Sequence, residues 1–394
     1  MTPIYPDIPP FTPKDRSPAK LSVVQHWGFF SREEIAREAG RLLMLDIDFG
    51  RDCSLRCPTC FRRRNSVDDS ADPDLTYDEL LEMLRQAREL GLKTVKICGA
   101  GEPFENPHLL RLARTLTDWD VGLSIFTKGH VLGDDDFAVR VFSHEGVSNA
   151  RSLASRLLEL KTSVLLSFQS FRPQIQDRLV GNVAGHTLRR NRAAEMLCNL
   201  GFNKSSPTRL AFCANPITRD NYDELLDIYV YCRERNILPV IAALMVSGKQ
   251  FTRSFLDGID VPAEAKVRLW ERIYRYNLDS GIHSLDDLKR DGISSMPGIH
   301  PCNQIAAGLY VTLTGTVTMC PGDSNTLLGS IRHARIGNIW HHSFSRKWCG
   351  TFNCGCPPKE DNTLPARALA RDVYETLCAQ CTLHRRASAD PVAS

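Results

Sequence analysis

Arg51-Asp52-Cys53-Ser54-Leu55-Arg56-Cys57-Pro58-Thr59-Cys60 sets three cysteines in the spacing C-x3-C-x2-C. A loop this short can turn three thiolates toward one cubic [4Fe-4S] cluster, leaving the fourth iron without a protein sulfur and open to a small molecule. Two other accounts compete. Structural zinc usually draws on paired C-x2-C units and closes with a fourth ligand, and free cysteines are commonly core residues. Three cysteines within eight residues of an otherwise ordinary chain favour the iron-sulfur account.

The run before the loop, Leu42-Leu43-Met44-Leu45-Asp46-Ile47-Asp48-Phe49-Gly50, reads as a buried strand stopped by glycine. The cysteines then sit at a strand's carboxyl end, where parallel α/β folds place their chemistry. Farther on, Thr76 and Glu79 form a capping box that opens a helix with Leu80, Leu81, Leu84, Ala87 and Leu90 on one face and Gly91 as its stop. Strand patterns follow at 94–98, 121–126, 163–169, 209–213 and 240–246, and Asn221 with Glu224 opens a helix along Leu225, Ile228 and Cys232. Six strands separated by helices predict an α/β fold, a partial (β/α)6 barrel of parallel strands. The stretch between Gly129 and Lys161, with Asp134-Asp135-Asp136 near its start, is longer than one helix needs and reads as an insertion at the substrate entrance or as a solvated helix.

Strand, cysteine loop and the following units resemble the radical S-adenosylmethionine (radical SAM) enzymes. The resemblance implies a [4Fe-4S] cluster on Cys53, Cys57 and Cys60 whose open iron chelates the amino and carboxylate groups of S-adenosyl-L-methionine, which one-electron reduction splits into methionine and a 5'-deoxyadenosyl radical. The segment Cys98-Gly99-Ala100-Gly101-Glu102-Pro103 is similar to the family's G-G-E-P, with Ala100 where its first glycine usually stands. It implies that Gly99, Ala100, Gly101 and Glu102 receive the cofactor ammonium. Thr127-Lys128-Gly129 stands where relatives often read T-N-G, with Lys128 available to the cofactor carboxylate, and Ser167 and Gln169 match the polar positions that meet the ribose. Arg178 and Asn215 are further candidates. Thr59 departs from the aromatic that often precedes the third cysteine, which removes an adenine-stacking side chain but no backbone contact.

Seven of the fourteen cysteines follow residue 300: Cys302, Cys320, Cys349, Cys354, Cys356, Cys378 and Cys381. Residues 309–320 alternate about Thr314-Gly315 as a β-hairpin does. The arrangement C-x12-G-x4-C, with Gly337-Asn338-Ile339-Trp340 downstream, resembles the opening of SPASM and twitch extensions, which implies at least one auxiliary [4Fe-4S] cluster. Cys302, Cys320, Cys378 and Cys381 fit a twitch-type cluster best, and structural zinc stays open as an alternative. The expected organisation is an N-terminal extension over 1–40, the barrel over 41–255, a helical linker over 256–300 and the auxiliary unit over 301–394. Cys98, Cys198, Cys213 and Cys232 read as core residues.

A hydrophobic content of 42% supplies a sizeable core, and a formal charge of +3 over 394 residues argues against a sequence-independent grip on nucleic acid. Arg62-Arg63-Arg64 is the one compact basic run; it reads as a solvated loop or as a holder of an anionic substrate group. The start Met1-Thr2-Pro3-Ile4-Tyr5-Pro6 has neither a basic region nor an apolar core of a signal peptide, and no run of 18 apolar residues occurs, so a soluble cytoplasmic protein with reduced thiols is expected, without a membrane partner. The resemblance implies hydrogen abstraction from an unactivated C–H bond, an electron donor such as flavodoxin or ferredoxin, and an auxiliary cluster that takes the second electron. Asp323, in Cys320-Pro321-Gly322-Asp323, is the candidate base, against a plain turn role. Peptide-modifying relatives often carry a leader-binding domain ahead of the barrel, and with about 40 residues before the first strand the expectation tilts to a small-molecule substrate such as a sugar or aminocyclitol. A peptide maturase is the alternative. A non-catalytic iron-sulfur or zinc protein is the contrasting class, and Gly101-Glu102 speaks against it, because a scaffold needs no ammonium acceptor.

Overall fold

A computed structural model of the chain describes residues 2–12, 17–18, 26–60, 72–244, 253–323, 326–344, 352, 355–360, 363–364 and 372–379. Arg62, Arg63, Arg64, Cys349, Cys354 and Cys381 lie outside the described residues.

The six expected strands are β1 (Met44–Ile47), β2 (Thr94–Ile97), β3 (Gly122–Thr127), β4 (Ser163–Ser167), β5 (Leu210–Ala214) and β6 (Leu238–Ile241). Each pairs in parallel with the next, in registers such as Met44 with Thr94 and Ile97 with Ile125. The sheet is open, as expected for a partial barrel. β6 begins two residues before its expected start and contains Pro239, which an outermost strand tolerates because one row of its backbone groups needs no partner. Leu45, Ile47, Val95, Ile97, Leu123, Ile125, Val164, Leu166, Leu210 and Phe212 face the helices in the main core. On the other face, Leu165, Ala211 and Val240 pack with Trp27, Phe29, Met296 and Ile299 inside the barrel. Burial on both faces explains why these strands read as continuous apolar runs.

The helices that matter for the site are α1 (Tyr77–Glu89), α2 (Leu109–Asp118), α3 (Asp135–Phe142), α4 (Ala150–Glu159), α5 (Pro173–Leu179), α6 (His186–Leu200) and α7 (Leu225–Glu234). The Thr76–Glu79 capping box opens α1, and Gly91, at φ +105°, follows its end. Between β3 and β4 stand two packed helices rather than an entrance insertion or one solvated helix: Asp134 accepts from Phe137 N at 3.0 Å to cap α3, and Asp135 accepts from Ala150 N at 3.0 Å at the start of α4. The expected cap at Asn221 does not form. Its Oδ1 accepts from Thr218 N at 2.8 Å and its amide donates to Gln169 O at 3.1 Å. Glu224 is drawn instead to Ser170 Oγ, Phe171 N and Arg172 Nε at 2.5, 2.9 and 2.7 Å, so a 3-10 turn precedes α7.

The hairpin forms from β7 (Gly308–Val311) and β8 (Thr316–Thr318), with Gly315 at φ +88° in its turn. It does not stand apart from the barrel, because β7 pairs in parallel with β1, Met44 opposite Gly308 and Ile47 opposite Val311. A third strand, β9 (Leu327–Ser330), which the sequence pattern did not bring out, adds antiparallel to β8 and completes a nine-stranded sheet in the order β9-β8-β7-β1-β2-β3-β4-β5-β6. In the expected linker, α8 (Ala263–Asp279) and α9 (Leu285–Asp291) pack their apolar faces on Ile217, Leu225, Tyr229 and Ile241.

Candidate active site

The cysteine loop leaves β1 at the carboxyl end of the sheet, as its sequence position requires. Leu55 is buried and anchors it, Arg56 N donates to Val180 O at 3.1 Å, and Cys60 N donates to Cys57 O at 3.2 Å. Cys53, Cys57 and Cys60 are each partly exposed and line one cavity of about 190 Å³ together with Gly99, Gly101, Glu102, Lys128 and Ser167. Residues from six strand ends thus open on one space, with Phe126, Leu165, Pro216 and Leu244 as its apolar wall.

The Gly99–Glu102 turn lies against the start of the cysteine loop. Gly101 has φ +77°, and a Cβ there would stand 2.4 Å from Gly50 O, so only glycine allows the approach. Glu102 N donates to Asp52 O at 2.8 Å. The Glu102 carboxylate, itself buried, accepts from Thr127 Oγ1 at 2.5 Å, Lys128 N at 2.9 Å and Phe104 N at 3.3 Å. A carboxylate has about four acceptor positions, so about one stays available to a cationic ligand group.

Asp48 was not singled out from sequence, yet it joins this turn to the C-terminal hairpin. Buried at the end of β1, it accepts from Ala100 N at 2.5 Å, Tyr310 OH at 2.6 Å and Leu313 N at 3.2 Å. The signal was present as Asp46 and Asp48, two carboxylates two residues apart in an apolar strand and hence on one face. Asp46 pairs with buried Lys96 at 2.9 Å, and Lys96 also donates to Gln304 Oε1 at 3.1 Å. Burial opposes the Lys96 charge, but Asp46, with Cys302 and Cys98 beyond it, holds the ammonium above its ordinary range.

Lys128, Ser167 and Gln169 are brought together as a chain: Lys128 Nζ donates to Ser167 Oγ at 2.7 Å, and Gln169 Nε2 donates to Ser167 Oγ at 2.6 Å and to Asn215 O at 3.2 Å. Asn215 also lines the cavity. Arg178, on α5, pairs instead with Asp220 at 2.7 Å, both side chains half exposed. Asp323 accepts from Thr326 N at 3.0 Å in the turn after β8. Cys98 and Cys213, read as core residues, line the cavity as well.

In the later cysteine field, Cys302, Cys320 and Cys356 are near enough for their charges to act on one another. Burial, then the neighbouring Cys356, pushes the Cys320 thiol well above its ordinary value. Cys378 lies on the helix 374–379 beside Tyr374.

At the first loop, burial followed by the charges of Glu102 and Glu105 pushes the Cys53 thiol up to about 12, and burial raises Cys57. These thiols stay protonated at neutral pH unless a cation draws them into thiolates, as iron does. Among the described residues no three His, Cys, Asp or Glu side chains gather as ligands of a single metal ion. The three thiols are instead spaced along one cavity, a donor set that fits a cluster with one open iron.

The model of the Radical SAM superfamily matches residues 47–229, a span that contains the cysteine loop and β2 to β5. A probable GTP 3',8-cyclase of Thermococcus kodakarensis is 27% identical over 137 residues, 35% of this chain and 38% of that protein. The chain thus spans well under half the length of this relative. Among solved structures, Streptococcus suis SuiB superposes with a TM-score of 0.50 at 17% identity, over 76% of this chain and 66% of SuiB. SuiB bound to its precursor peptide SuiA gives 0.50 at 16% identity, over 83% and 74%. The superpositions establish a shared fold, and the family match assigns residues 47–229, the stretch that holds the cysteine loop and β2 to β5, to the radical SAM superfamily, whose members use a [4Fe-4S] cluster and S-adenosyl-L-methionine.

Proposed function

We propose that the chain is a radical SAM oxidoreductase that abstracts hydrogen from a small molecule, such as a sugar or aminocyclitol intermediate of a biosynthetic pathway, and completes a two-electron oxidation through an auxiliary [4Fe-4S] cluster. The observation that carries this reading is the single cavity shared by Cys53, Cys57, Cys60, Glu102, Lys128 and Ser167. Bound there, the cluster and S-adenosyl-L-methionine supply one-electron reduction and a hydrogen-abstracting radical. The remaining acceptor position of Glu102 takes the cofactor ammonium, with the backbone of Gly99, Ala100 and Gly101 beside it. Lys128 meets the carboxylate, and Ser167 with Gln169 the ribose. Phe126, Leu165, Pro216 and Leu244 exclude water from the reacting carbon. Arg178 would have to leave Asp220 to take part.

The mutual proximity of Cys302, Cys320 and Cys356 supports an auxiliary cluster, with a further ligand among Cys349, Cys354, Cys378 and Cys381. Asp323, whose charge acts on Cys320, is the base that receives the substrate proton. The division into an extension, barrel, helical linker and auxiliary unit belongs to this proposal, with the auxiliary unit starting on a hairpin that shares the barrel's sheet, as do a ferredoxin or flavodoxin donor and a cytoplasmic setting. Among the described residues no helix is long and apolar enough to cross a membrane.

A peptide is the second reading, since SuiB shares the fold and binds a precursor peptide. The test is anaerobic turnover of the reconstituted, reduced protein with aminocyclitols, amino sugars and short peptides, followed by mass analysis. A small-molecule product lighter by two hydrogens, formed with 5'-deoxyadenosine, is the expected result. Modification of peptides alone would refute the substrate class.

A further inference from the structure

Ser54 lies between the first two cysteines and is held by a polar group that no cofactor role explains. Its N–H donates to both oxygens of Glu105, at 2.9 and 3.1 Å, and its hydroxyl donates to Glu105 Oε1 at 2.8 Å. His130 Nε2 stands 3.0 Å from the same Oε1 and 3.1 Å from Ser54 Oγ. Because the serine proton goes to Glu105, the imidazole must carry its own proton on Nε2 to serve either partner. Only 11% of the Glu105 side chain and 3% of that of His130 are exposed. His130 is wedged by the Phe137 edge and the His186 ring, and its Nδ1 is buried without a partner. Burial works against the Glu105 charge, but hydrogen bonds from His130 and Ser54 outweigh it and hold the carboxyl below the usual carboxylate range. That charge is felt at the Cys53 sulfur.

We propose that Glu105, fixed by His130 and Ser54, is a positioning residue of the cysteine loop whose negative charge lowers the reduction potential of the cluster held by Cys53, Cys57 and Cys60. A negative charge beside a redox centre disfavours the added electron. The arrangement ties that charge to the first ligand, so seating the loop and setting its electrostatics are one act. Asp48 and the Gly101 contact hold the neighbouring turn, whereas Ser54 ties the stretch between the first two cysteines to a buried carboxylate. This rests on the assignment of the three cysteines as cluster ligands.

The test is redox titration of the reconstituted protein, followed by electron paramagnetic resonance, with iron counted in parallel. Glu105→Gln keeps the shape and an acceptor oxygen but removes the charge. At a fixed applied potential it is expected to raise the ratio of reduced to oxidised cluster about tenfold, or about 59 mV for one electron. Ser54→Ala leaves the charge in place and is expected to shift the ratio less than twofold, and Glu105→Asp to restore it to within twofold of wild type. An unchanged ratio in Glu105→Gln, or an equal shift in Ser54→Ala, would overturn the inference. If Glu105→Gln holds no iron, Glu105→Asp decides: full iron with a ratio within twofold of wild type supports the inference, and full iron with a raised ratio, or loss of iron from both, overturns it. Wild-type protein that takes up no iron would remove the cluster assignment itself, a failure distinct from iron-loaded protein indifferent to Glu105.

Discussion

Removing the Asp48 carboxylate should loosen the cofactor turn and the C-terminal hairpin together. Asp48→Ala strands at least three donors, Ala100 N–H, Tyr310 O–H and Leu313 N–H. An unsatisfied buried donor costs about 1 to 3 kcal/mol, and water entering the vacated space offsets part of the sum, so a loss of about 3 to 5 kcal/mol is expected. Asp48→Asn keeps an oxygen for Ala100 and Tyr310 but turns an NH2 toward Leu313 N–H, and should cost about 1 to 3 kcal/mol. A Cβ on Gly99 would stand 1.6 Å from Asp48 Oδ1, so Gly99→Ala displaces the same carboxylate from the other side. The two changes share one mechanism, and Gly99→Ala should cost less in the Asp48→Ala background than in wild type. Urea unfolding of the four proteins of this cycle measures the coupling. Strict additivity, or an Asp48→Ala protein within 1 kcal/mol of wild type, would refute the hub.

Other expectations are simpler. Burial, and then Arg209, lowers His26 to about 4, and burial, and then Arg190, lowers His186 to about 2. Both stay neutral when folded, so their stabilisation is full above the unfolded pKa of about 6.5 and is lost as pH falls below it, because only the unfolded chain takes up the protons. At pH 5 each should cost about 2 kcal/mol relative to pH 7.5, with His283 and His300 adding in the same direction. His186→Phe should remove roughly half of the slope given by the first two; urea midpoints that stay level from pH 7.5 to 5 would contradict this. Glu102→Gln removes the charge facing the cavity and sets an NH2 against Lys128 N–H or Thr127 Oγ1. It should weaken S-adenosyl-L-methionine binding about ten- to hundredfold and stability by about 1 to 3 kcal/mol, read by equilibrium dialysis and urea. Unaltered affinity would make Glu102 a structural carboxylate.

Local signals carried most of the barrel. Apolar runs gave β1 to β5, the Thr76–Glu79 box gave α1, and the spacing of Cys53, Cys57 and Cys60 gave the site, because each is written within a few residues. Pairings between distant segments were not legible. Nothing around Gly308 says that β7 lies beside β1 rather than in a separate unit, since parallel pairing leaves no turn to read. Ser54, Glu105 and His130 come from three βα connections and become a group only when the sheet sets those connections side by side. Asn221 and Glu224 have the letters of a cap, but Gln169 and Arg172, some fifty residues earlier, compete for them. Arg178, carried over by resemblance, meets Asp220 at the surface, a partner that no motif announces.

The most direct measurement of the central claim is 5'-deoxyadenosine formed under anaerobic, reducing conditions by three proteins: wild type, Cys53→Ala/Cys57→Ala/Cys60→Ala, and Cys302→Ala/Cys320→Ala. Wild type is expected to form product, the first variant none although iron remains bound elsewhere, and the second to cleave the cofactor without oxidising substrate if it folds. Product from the first variant at the wild-type level would contradict the assignment of Cys53, Cys57 and Cys60 as the radical-generating site.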